Sequence, residues 1–311
     1  MEGGKLKLKI PGDLRDQLES FVLPPFVRRG DPFSLYSKIG QIGKGSSGSV
    51  FKVILPNGLF KAVKIVNAGP HQTIEILKAL KEAEIGMQIK HPHLLSIDEV
   101  WYDGTRFLFV MDLVEPLTVS SPDLALPFSL KDKKEILNRF QHIVSAVLHL
   151  YSMNILHRDI KVQNCGIKVD EDGNQRLVLF DFGEAFEFSD DSSGDCVGTI
   201  LHIAPEVLVN CQYSDKSEIW ALISFLIEFL TGKPMIYYFV KTGSRFAVES
   251  KISKLLDPLS ESPIPEVFKT DKSPAGILLL HILERGLAIN PAERLTFPEL
   301  ERLLQELIAL L

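Results

Sequence analysis

The amino-acid sequence predicts an α+β protein of two lobes, a small β-rich lobe followed by a mainly helical one. From Phe33 onwards, short hydrophobic segments of β-strand character alternate with tight turns, such as the one around Asn57-Gly58. After Pro127 the hydrophobic residues take helical spacing instead. The chain has 311 residues, of which 45% are hydrophobic, so both lobes can bury a core.

The predicted small lobe, residues 33–114, is a five-stranded antiparallel sheet with one helix. The helix covers roughly Gln72–Ile89, where apolar residues recur at helical spacing. The predicted strands are Leu35–Ile42, Val50–Leu55, Leu59–Val66, Leu95–Tyr102 and Arg106–Leu113.

The second lobe, residues 115–311, is expected to be mainly helical. Its predicted helices are Lys131–Met153, Lys216–Leu230, Gly276–Leu287 and Phe297–Leu311, and its predicted strands are Ile167–Val169 and Arg176–Phe180. Residues 1–32 are expected to form an extension, in which the alternating segment Lys5–Ile10 is either a short edge strand or a frayed end. A cleft between two such lobes would be a favoured ligand site.

Charge and cysteine content limit the possible functions. The formal net charge of -6 argues against a general nucleic-acid binder. The cysteines, Cys165, Cys196 and Cys211, include no CxxC pair, so neither a disulfide framework nor a zinc site is expected, and a reducing compartment fits best. Cys196 is predicted to be the most exposed and redox-reactive of them.

Targeting signals are not apparent in the sequence. The N-terminus has no signal-peptide core and no myristoylation pattern. The most apolar stretch, Ile219–Leu230, is shorter than a membrane span. We therefore expect a cytoplasmic protein without membrane insertion.

The first motif with chemical meaning is a glycine-rich segment between two predicted strands. It reads Gly43-Lys44-Gly45-Ser46-Ser47-Gly48. Glycines there let the backbone fold closely over phosphate groups, whose oxygens can accept hydrogen bonds from the exposed amides. A flexible hairpin would give the same pattern, whereas a dinucleotide-binding site would need a helix after the motif rather than a strand.

A lysine on the third predicted strand, Lys64, could extend its ammonium group to the same phosphates. A lysine on a strand is otherwise usually solvated. A carboxylate in the predicted helix could orient Lys64. Glu82 is the preferred candidate, counted back from the segment at His91 that ends the helix, and Glu75 and Glu84 are the alternatives.

An eight-residue motif, His157–Asn164, follows a long predicted helix and precedes a strand. Asp159 offers a carboxylate that can accept a hydroxyl proton and orient a nucleophile. Lys161 can offset charge on a transferring phosphoryl group, and Asn164 supplies a hard oxygen ligand suited to Mg²⁺. This spacing is highly specific.

Two more motifs follow in order. The sequence Asp-Phe-Gly begins at Asp181, directly after a predicted strand, and Asp181 would bind Mg²⁺ that bridges the phosphates. The sequence Ala-Pro-Glu ends at Glu206, which is expected to pair with Arg294 in a structural rather than a catalytic contact.

Together these motifs resemble the signature set of eukaryotic protein kinases, from about Phe33 to the C-terminus. The resemblance implies the two-lobed protein kinase fold, and an enzyme that transfers the γ-phosphoryl group of ATP to protein substrates. It implies ATP and Mg²⁺ as cofactors, with Mn²⁺ as an alternative metal. A monomer or weak dimer is expected.

By the same resemblance, ATP lies between the lobes, and further residues gain roles. The positions that match the adenine pocket and the segment whose backbone bonds adenine are Ile42, Val50, Ala62, Met111, Asp112 and Leu113. Lys161, two residues after Asp159, and Thr199 match the serine/threonine pattern. Serine and threonine hydroxyls are therefore the expected acceptors.

The resemblance also places an acidic, serine-rich activation segment after Asp181. Arg158 matches the family's receptor for an activating phosphate, and alignment on Thr199 puts Asp195 where many relatives carry the phosphorylated threonine. We expect Asp195 to pair with Arg158 and support activity without phosphorylation, and a solvated loop aspartate is the alternative. Other candidate autophosphorylation sites are Ser192 and Ser193.

The chain departs from the family pattern at several positions. Glu218 replaces the usual aspartate that holds the catalytic-loop backbone, and its extra methylene predicts a looser or shifted anchor. Ile223 stands where glycine is usual, and the region of His202 replaces the tyrosine common before Ala-Pro-Glu. Gln163 stands where many arginine-directed kinases have Glu, so a simple preference for basic substrates is unsupported. These departures predict a divergent member of the family.

Two other function classes explain less of the sequence. A pseudokinase scaffold, which would bind nucleotide and partner proteins without turnover, predicts loss of a catalytic residue such as Lys64, Asp159 or Asp181, and none is lost. A lipid or small-molecule kinase would not need the Ala-Pro-Glu segment, which builds a peptide-docking platform. The domain-only chain would also suit a kinase delivered into a host cell.

Overall fold

The computed structural model of the protein describes residues 23–45, 48–69, 72–117, 130–170, 172–187, 196–235 and 264–311. The chain divides into two compact units. The first includes the described residues up to Met87 together with Ile97–Asp112, and the second includes Gln88–Ser96 and the described residues from Leu113 onward. The predicted limits of the extension and the two lobes stay predictions.

The first unit is built on a six-stranded sheet and one long helix. Its strands are β1 (Val27–Arg29), β2 (Ser37–Gly45), β3 (Gly48–Ile54), β4 (Phe60–Asn67), β5 (Ile97–Tyr102) and β6 (Arg106–Asp112). Their order across the sheet is β1-β5-β6-β4-β3-β2. Helix α1 covers Thr73–Gln88.

The sheet carries one strand more than the five antiparallel strands predicted. Strand β1 pairs in parallel with β5, at the edge of the sheet. Arg28 adds side-chain contacts to this pairing, because its guanidinium lies 3.0 Å from the carboxylate of Glu99 and 5.3 Å from the ring of Trp101. A strand of three residues is too short for alternating hydrophobic residues to indicate it in the sequence. The segment Lys5–Ile10, predicted as an edge strand or frayed end, lies outside the described residues.

The two faces of the sheet contribute to separate hydrophobic cores. On one face Phe109 belongs to a cluster with Leu80 of α1. On the other face Val63 and Leu108 belong to a second cluster. Because side chains alternate along a strand, Lys64, which follows Val63 and pairs in register with Phe109, points to the face covered by α1.

The described part of the second unit is mainly helical. Its helices are α2 (Leu130–Ser152), α3 (Pro205–Asn210), α4 (Asp215–Thr231), α5 (Pro274–Gly286) and α6 (Phe297–Ala309). Its strands are β7 (Glu115–Pro116), β8 (Ile155–Leu156), β9 (Cys165–Val169), β10 (Gln175–Leu179) and β11 (Phe186–Glu187). Strand β9 lies between β10 and β7, and β8 pairs with β11.

The α+β fold class predicted from the sequence is confirmed, with a β-rich first part and a helical second part. The predicted helices and strands of the second unit are all present, and their ends agree within two residues. Among the described residues of this unit, the α-helix and strands not predicted are α3, β7, β8 and β11, of two to six residues each. They are too short for hydrophobic periodicity to indicate them.

Helix α4 is a core helix of the second unit. Ser214 caps its N-terminus by accepting a hydrogen bond from the amide of Lys216, and Gly232 ends it in the left-handed conformation, with φ 71°. Nearly all side chains from Ser217 to Thr231 are buried. This burial explains why its sequence is apolar all round.

Among the described residues, no helix combines the length and apolar character that crossing a membrane requires.

Candidate active site

The carboxylate of Asp159 is the centre of a hydrogen-bond network in the second unit. Its Oδ1 accepts hydrogen bonds from the backbone amide of Thr199 at 2.9 Å and from the Thr199 hydroxyl at 2.7 Å. Its Oδ2 accepts from Nζ of Lys161 at 2.7 Å and from Nδ2 of Asn164 at 2.9 Å. Lys161 also donates to the Thr199 hydroxyl oxygen at 2.7 Å, which closes a ring of contacts around the carboxylate.

These contacts favour the ionised form of Asp159. Burial raises the pKa of its carboxyl group, but the hydrogen bond and charge of Lys161 and the hydrogen bond from Thr199 outweigh burial and leave the pKa below its ordinary value. A carboxylate held ionised in one orientation can accept a proton from a hydroxyl placed beside it.

Glu218 in α4 holds the backbone of this loop. Its carboxylate accepts hydrogen bonds from the amides of His157 and Arg158, both at 2.9 Å. Arg158 has a φ of 63°, a left-handed conformation that costs energy for a residue other than glycine. The looser anchor expected from the extra methylene of Glu218 is not what the structure shows, because the longer side chain reaches both amides at ordinary bond lengths.

The carboxyl group of Glu218 is also poised to titrate near neutral pH. Burial raises its pKa to about 7, although the hydrogen bonds from the amides of His157 and Arg158 act in the opposite direction. The residue is 2% exposed. Its charge, and with it the strength of the anchor, therefore depends on pH.

His157 connects the catalytic loop to the strand that precedes Asp181. Its Nδ1 lies 3.3 Å from the backbone nitrogen of Asp159, and its Nε2 lies 3.2 Å from the carbonyl oxygen of Phe180. Burial lowers the pKa of His157, although the charges of Asp159 and Asp181 oppose the shift, so the ring is neutral and donates through Nε2. No role was predicted for His157, although its place at the start of the motif was an available signal.

Asp181 and Asn164 lie on neighbouring backbone segments. The amide of Phe180 donates a 2.9 Å hydrogen bond to the carbonyl oxygen of Asn164. Asp181 has a φ of 68°, and Phe182 after it is buried against the ring of His157 at 5.6 Å. Strained backbone conformations of this kind concentrate at functional sites.

The donor atoms of Asp181 and Asn164 fit a magnesium ion. Asn164 uses its amide nitrogen to bond Asp159, so its side-chain oxygen is the atom that can serve a cation. In the described part of the chain, no cluster of three or more His, Cys, Asp and Glu side chains could hold a metal alone. Mg²⁺ commonly takes one or two protein oxygens and completes its shell with phosphate and water.

In the first unit, the ammonium of Lys64 lies 2.6 Å from Oε1 of Glu82 in α1. The two side chains are only 9% and 7% exposed. Glu75 is exposed and Glu84 half-buried. Of the three glutamates considered from the sequence, Glu82 is therefore the one that forms a buried ion pair with Lys64.

The glycine-rich segment connects β2 and β3. Gly48 has a φ of 134°, and a Cβ atom there would clash with the backbone carbonyl of Ile65, so glycine is required. Gly45 pairs with Gly48 at the end of the two strands. Ser46 and Ser47 lie outside the described residues.

Several residues predicted to contact the nucleotide share one face of the sheet. Val50 pairs in register with Lys64, and Ala62 pairs with Met111. Ala62 and Lys64 are two residues apart on β4, so all four side chains lie on the face covered by α1. Ile42, on β2, is exposed. The remaining predicted positions are Gly43 and Lys44 in β2, Asp112 at the end of β6, and Leu113 directly after it.

Arg158, the predicted phosphate receptor, is engaged by the described part of the activation segment. Its Nε donates a 2.7 Å hydrogen bond to the carbonyl oxygen of Glu184. Its guanidinium lies over the rings of Phe186 and Tyr213, at 5.0 and 4.8 Å. The pair predicted with Asp195 stays a prediction, because part of the segment lies outside the described residues, including Ser192, Ser193 and Asp195.

Tyr213 holds the end of the activation segment. Its hydroxyl accepts a 2.7 Å hydrogen bond from the amide of Val197 and donates to the carbonyl oxygen of the same residue. Val197 lies two residues before Thr199, so this contact helps to place Thr199 beside Asp159. No sequence motif pointed to Tyr213.

Half-buried Glu206 and fully buried Arg294 form a bidentate pair. Nη1 and Nη2 of Arg294 lie 2.6 and 2.8 Å from the two carboxylate oxygens of Glu206. The guanidinium also donates to the carbonyl oxygens of Ala288 and Lys216, and lies 4.9 Å from the ring of Trp220. Through these contacts, Arg294 ties the start of α3 to the loop before α6.

The fold and these motifs define a protein kinase, and comparison with known proteins agrees. Residues 36–305 match the protein kinase domain, so the chain belongs to the protein kinase family. Its curated relatives include serine/threonine-protein kinases.

The similarity to individual relatives is moderate. The chain is 28% identical over 274 residues to the serine/threonine-protein kinase Nek1 of Mus musculus, across 85% of this chain and 22% of that protein. It is 27% identical over 223 residues to the serine/threonine-protein kinase ste20 of Aspergillus oryzae, across 71% of this chain and 25% of the relative. It is 32% identical over 207 residues to a probable cyclin-dependent kinase 10 of Dictyostelium discoideum, across 65% of this chain and 55% of the relative. The chain thus spans about a quarter of the length of the first two.

Proposed function

We propose that this chain is an active protein kinase that transfers the γ-phosphoryl group of ATP to serine and threonine hydroxyls of protein substrates. The observation that carries the proposal is the state of Asp159. Its carboxylate is ionised and accepts four hydrogen bonds from three side chains and one backbone amide. A binding scaffold has no need of a carboxylate held in this way.

The proposed chemistry is in-line phosphoryl transfer. The substrate hydroxyl gives its proton to Asp159 as its oxygen bonds to the γ-phosphorus, and the bond from that phosphorus to the bridging oxygen of ADP breaks. Lys161, which already contacts Asp159, offsets negative charge on the phosphoryl group in transit. Positioning and charge stabilisation supply most of the acceleration in such reactions.

Several of the residues described above would hold the nucleotide. Lys64, oriented by Glu82, would bond the α- and β-phosphates, and the backbone from Gly43 to Gly48 would cover the phosphates. Asp181 and Asn164 would hold Mg²⁺ or Mn²⁺, which neutralises phosphate charge when bound.

The apolar side chains on the sheet face of Lys64 would contact the adenine. They are Val50, Ala62 and Met111, and exposed Ile42 would join them from β2. The backbone of Asp112 and Leu113 would supply the polar contacts to the ring.

The preference for serine and threonine is supported by the contact between Lys161 and Thr199. Thr199 links the catalytic loop to the end of the activation segment, because it bonds Asp159 and Lys161 together. Two of the relatives named above are serine/threonine-protein kinases.

The experiment that tests the proposal is transfer from γ-labelled ATP with Mg²⁺ to a generic protein substrate, comparing the wild type with Asp159→Ala. We expect labelled phosphoserine and phosphothreonine from the wild type only. Label on tyrosine would contradict the acceptor assignment. Nucleotide binding without any transfer by the wild type would contradict the enzyme assignment and favour a pseudokinase scaffold.

A further inference from the structure

Two of the three cysteines meet beside the end of the activation segment. The Sγ of Cys196 donates a hydrogen bond to the carbonyl oxygen of Val207 at 3.0 Å, and the backbone amide of Cys211 donates to the same oxygen at 2.8 Å. Two contacts to one carbonyl oxygen therefore bring residues that are fifteen positions apart together at the end of α3.

The exposure of the two residues suits chemical modification. Cys196 is exposed, and Cys211 is half-buried. The third cysteine, Cys165, is only 1% exposed in β9, and burial raises the pKa of its thiol strongly. Cys165 is thus shielded from oxidants, and Cys196 and Cys211 form the reactive pair.

We propose that Cys196 and Cys211 are an oxidation site. Hydrogen peroxide would oxidise the two thiols to a reversible intramolecular disulfide. One oxygen of hydrogen peroxide passes to a thiol, which becomes a sulfenic acid, and the other oxygen leaves as water. The second thiol then displaces the hydroxyl group, which leaves as another water as the sulfur–sulfur bond forms. Two thiol hydrogens and two electrons pass to the peroxide, and a dithiol reductant reverses the step.

The microenvironment makes the reaction slow at neutral pH and faster in alkali. Burial and the neighbouring Cys211 thiol raise the pKa of Cys196 to about 11. Since the thiolate is the reactive form, the Cys196 thiol is mostly protonated and slow to react at pH 7. Crosslinking should therefore become faster as the pH rises.

The crosslink would close a loop that contains residues of the active site. Thr199 lies inside the loop and already bonds Asp159 in the arrangement in which Cys196 and Cys211 share the carbonyl oxygen of Val207. The disulfide would therefore retain this contact and stabilise the fold, with a rise in Tm of roughly 5 °C for a loop of this size. This inference does not depend on phosphoryl transfer, since mass and Tm report it directly.

The test is intact-mass and peptide analysis of the full chain after treatment with hydrogen peroxide at pH 7 and pH 9. We expect a loss of about 2 Da, the mass of two hydrogens, reversed by dithiothreitol. We also expect a crosslinked peptide that joins Cys196 to Cys211, forming faster at pH 9. Cys196→Ser and Cys211→Ser are matched controls, and each should abolish both the mass loss and the Tm rise.

Three results would overturn the proposal. One is wild-type protein that only gains oxygen, with no crosslinked peptide. Another is a mass loss that persists in Cys211→Ser, which would indicate a pair with Cys165. The third is a disulfide between two chains, visible as a dimer on a non-reducing gel.

Discussion

Thr199 bonds the carboxylate of Asp159 twice, once through its backbone amide and once through its hydroxyl. The hydroxyl also accepts a hydrogen bond from Lys161. One side chain therefore orients both residues to which we assign proton transfer and charge stabilisation.

Removing this hydroxyl should lower activity while the fold persists. Thr199→Ala keeps the backbone bond but loses both side-chain contacts, and hydrogen bonds to charged groups contribute about 1.5–3 kcal/mol. We expect a fall in kcat/KM of roughly 10–100-fold in steady-state assays. Thr199→Ser, which keeps a hydroxyl, is the control and should stay near the wild type. Equal losses in both variants would contradict the role of the hydroxyl.

The buried pair of Lys64 and Glu82 should show strong coupling in stability. Glu82→Ala leaves a buried ammonium without this partner, at a cost of about 3–5 kcal/mol in the free energy of unfolding. The double variant with Lys64→Ala should cost much less than the sum of the two single variants. Urea unfolding measures all three. Exposed Glu75→Ala is the control, with an expected change within about 0.5 kcal/mol. Additive costs would contradict the pairing.

Glu218 should make stability depend on pH near neutrality. Its pKa is about 7 in the folded protein and near 4.5 when unfolded, so the folded state binds more protons between these values. The contribution of Glu218 to stability is therefore present below pH 4.5 and is lost as the pH rises to about 7.

The matching variant for this residue is Glu218→Gln, which does not titrate. The free energy of unfolding of the wild type relative to this variant should fall by up to about 3 kcal/mol between pH 5 and pH 8. Urea unfolding of both proteins across this range measures the difference. A difference that does not change with pH would show that burial does not raise the pKa as described.

The pair of Arg294 and Glu206 should be worth far more than an exposed pair of similar length. Arg294→Ala leaves Glu206 without its bidentate partner, and we expect a loss of about 3–5 kcal/mol. The control is Arg302→Ala, which breaks an exposed pair with Glu306 on α6 and should cost about 0.3–0.5 kcal/mol. Similar costs at both sites would contradict the structural role of Arg294.

The motifs of the second unit were recognisable from the sequence because each residue type and its spacing reflect a chemical requirement. A carboxylate, an ammonium and an amide at positions 159, 161 and 164 follow one another closely enough for local geometry to bring them together. Glu82 was harder to assign, because three glutamates share one helix and only the packing of α1 on the sheet selects among them.

Other features depend on tertiary contacts that the sequence does not signal. Strand β1 has three residues, and its partner strand β5, which carries the Arg28 contacts Glu99 and Trp101, is distant in sequence. Tyr213 reaches Val197 across sixteen positions without a motif. The two amide bonds of Glu218 could not be predicted, because whether a longer side chain reaches the loop depends on where α4 lies.

The proposed function requires Asp159 to take part in the transfer step itself. The most direct measurement is single-turnover transfer from ATP by Asp159→Asn, together with the affinity of this variant for Mg²⁺-ATP. We predict a loss of rate of roughly 10²–10⁴-fold with affinity within a few-fold of the wild type. A rate that remains near the wild-type value would contradict the account.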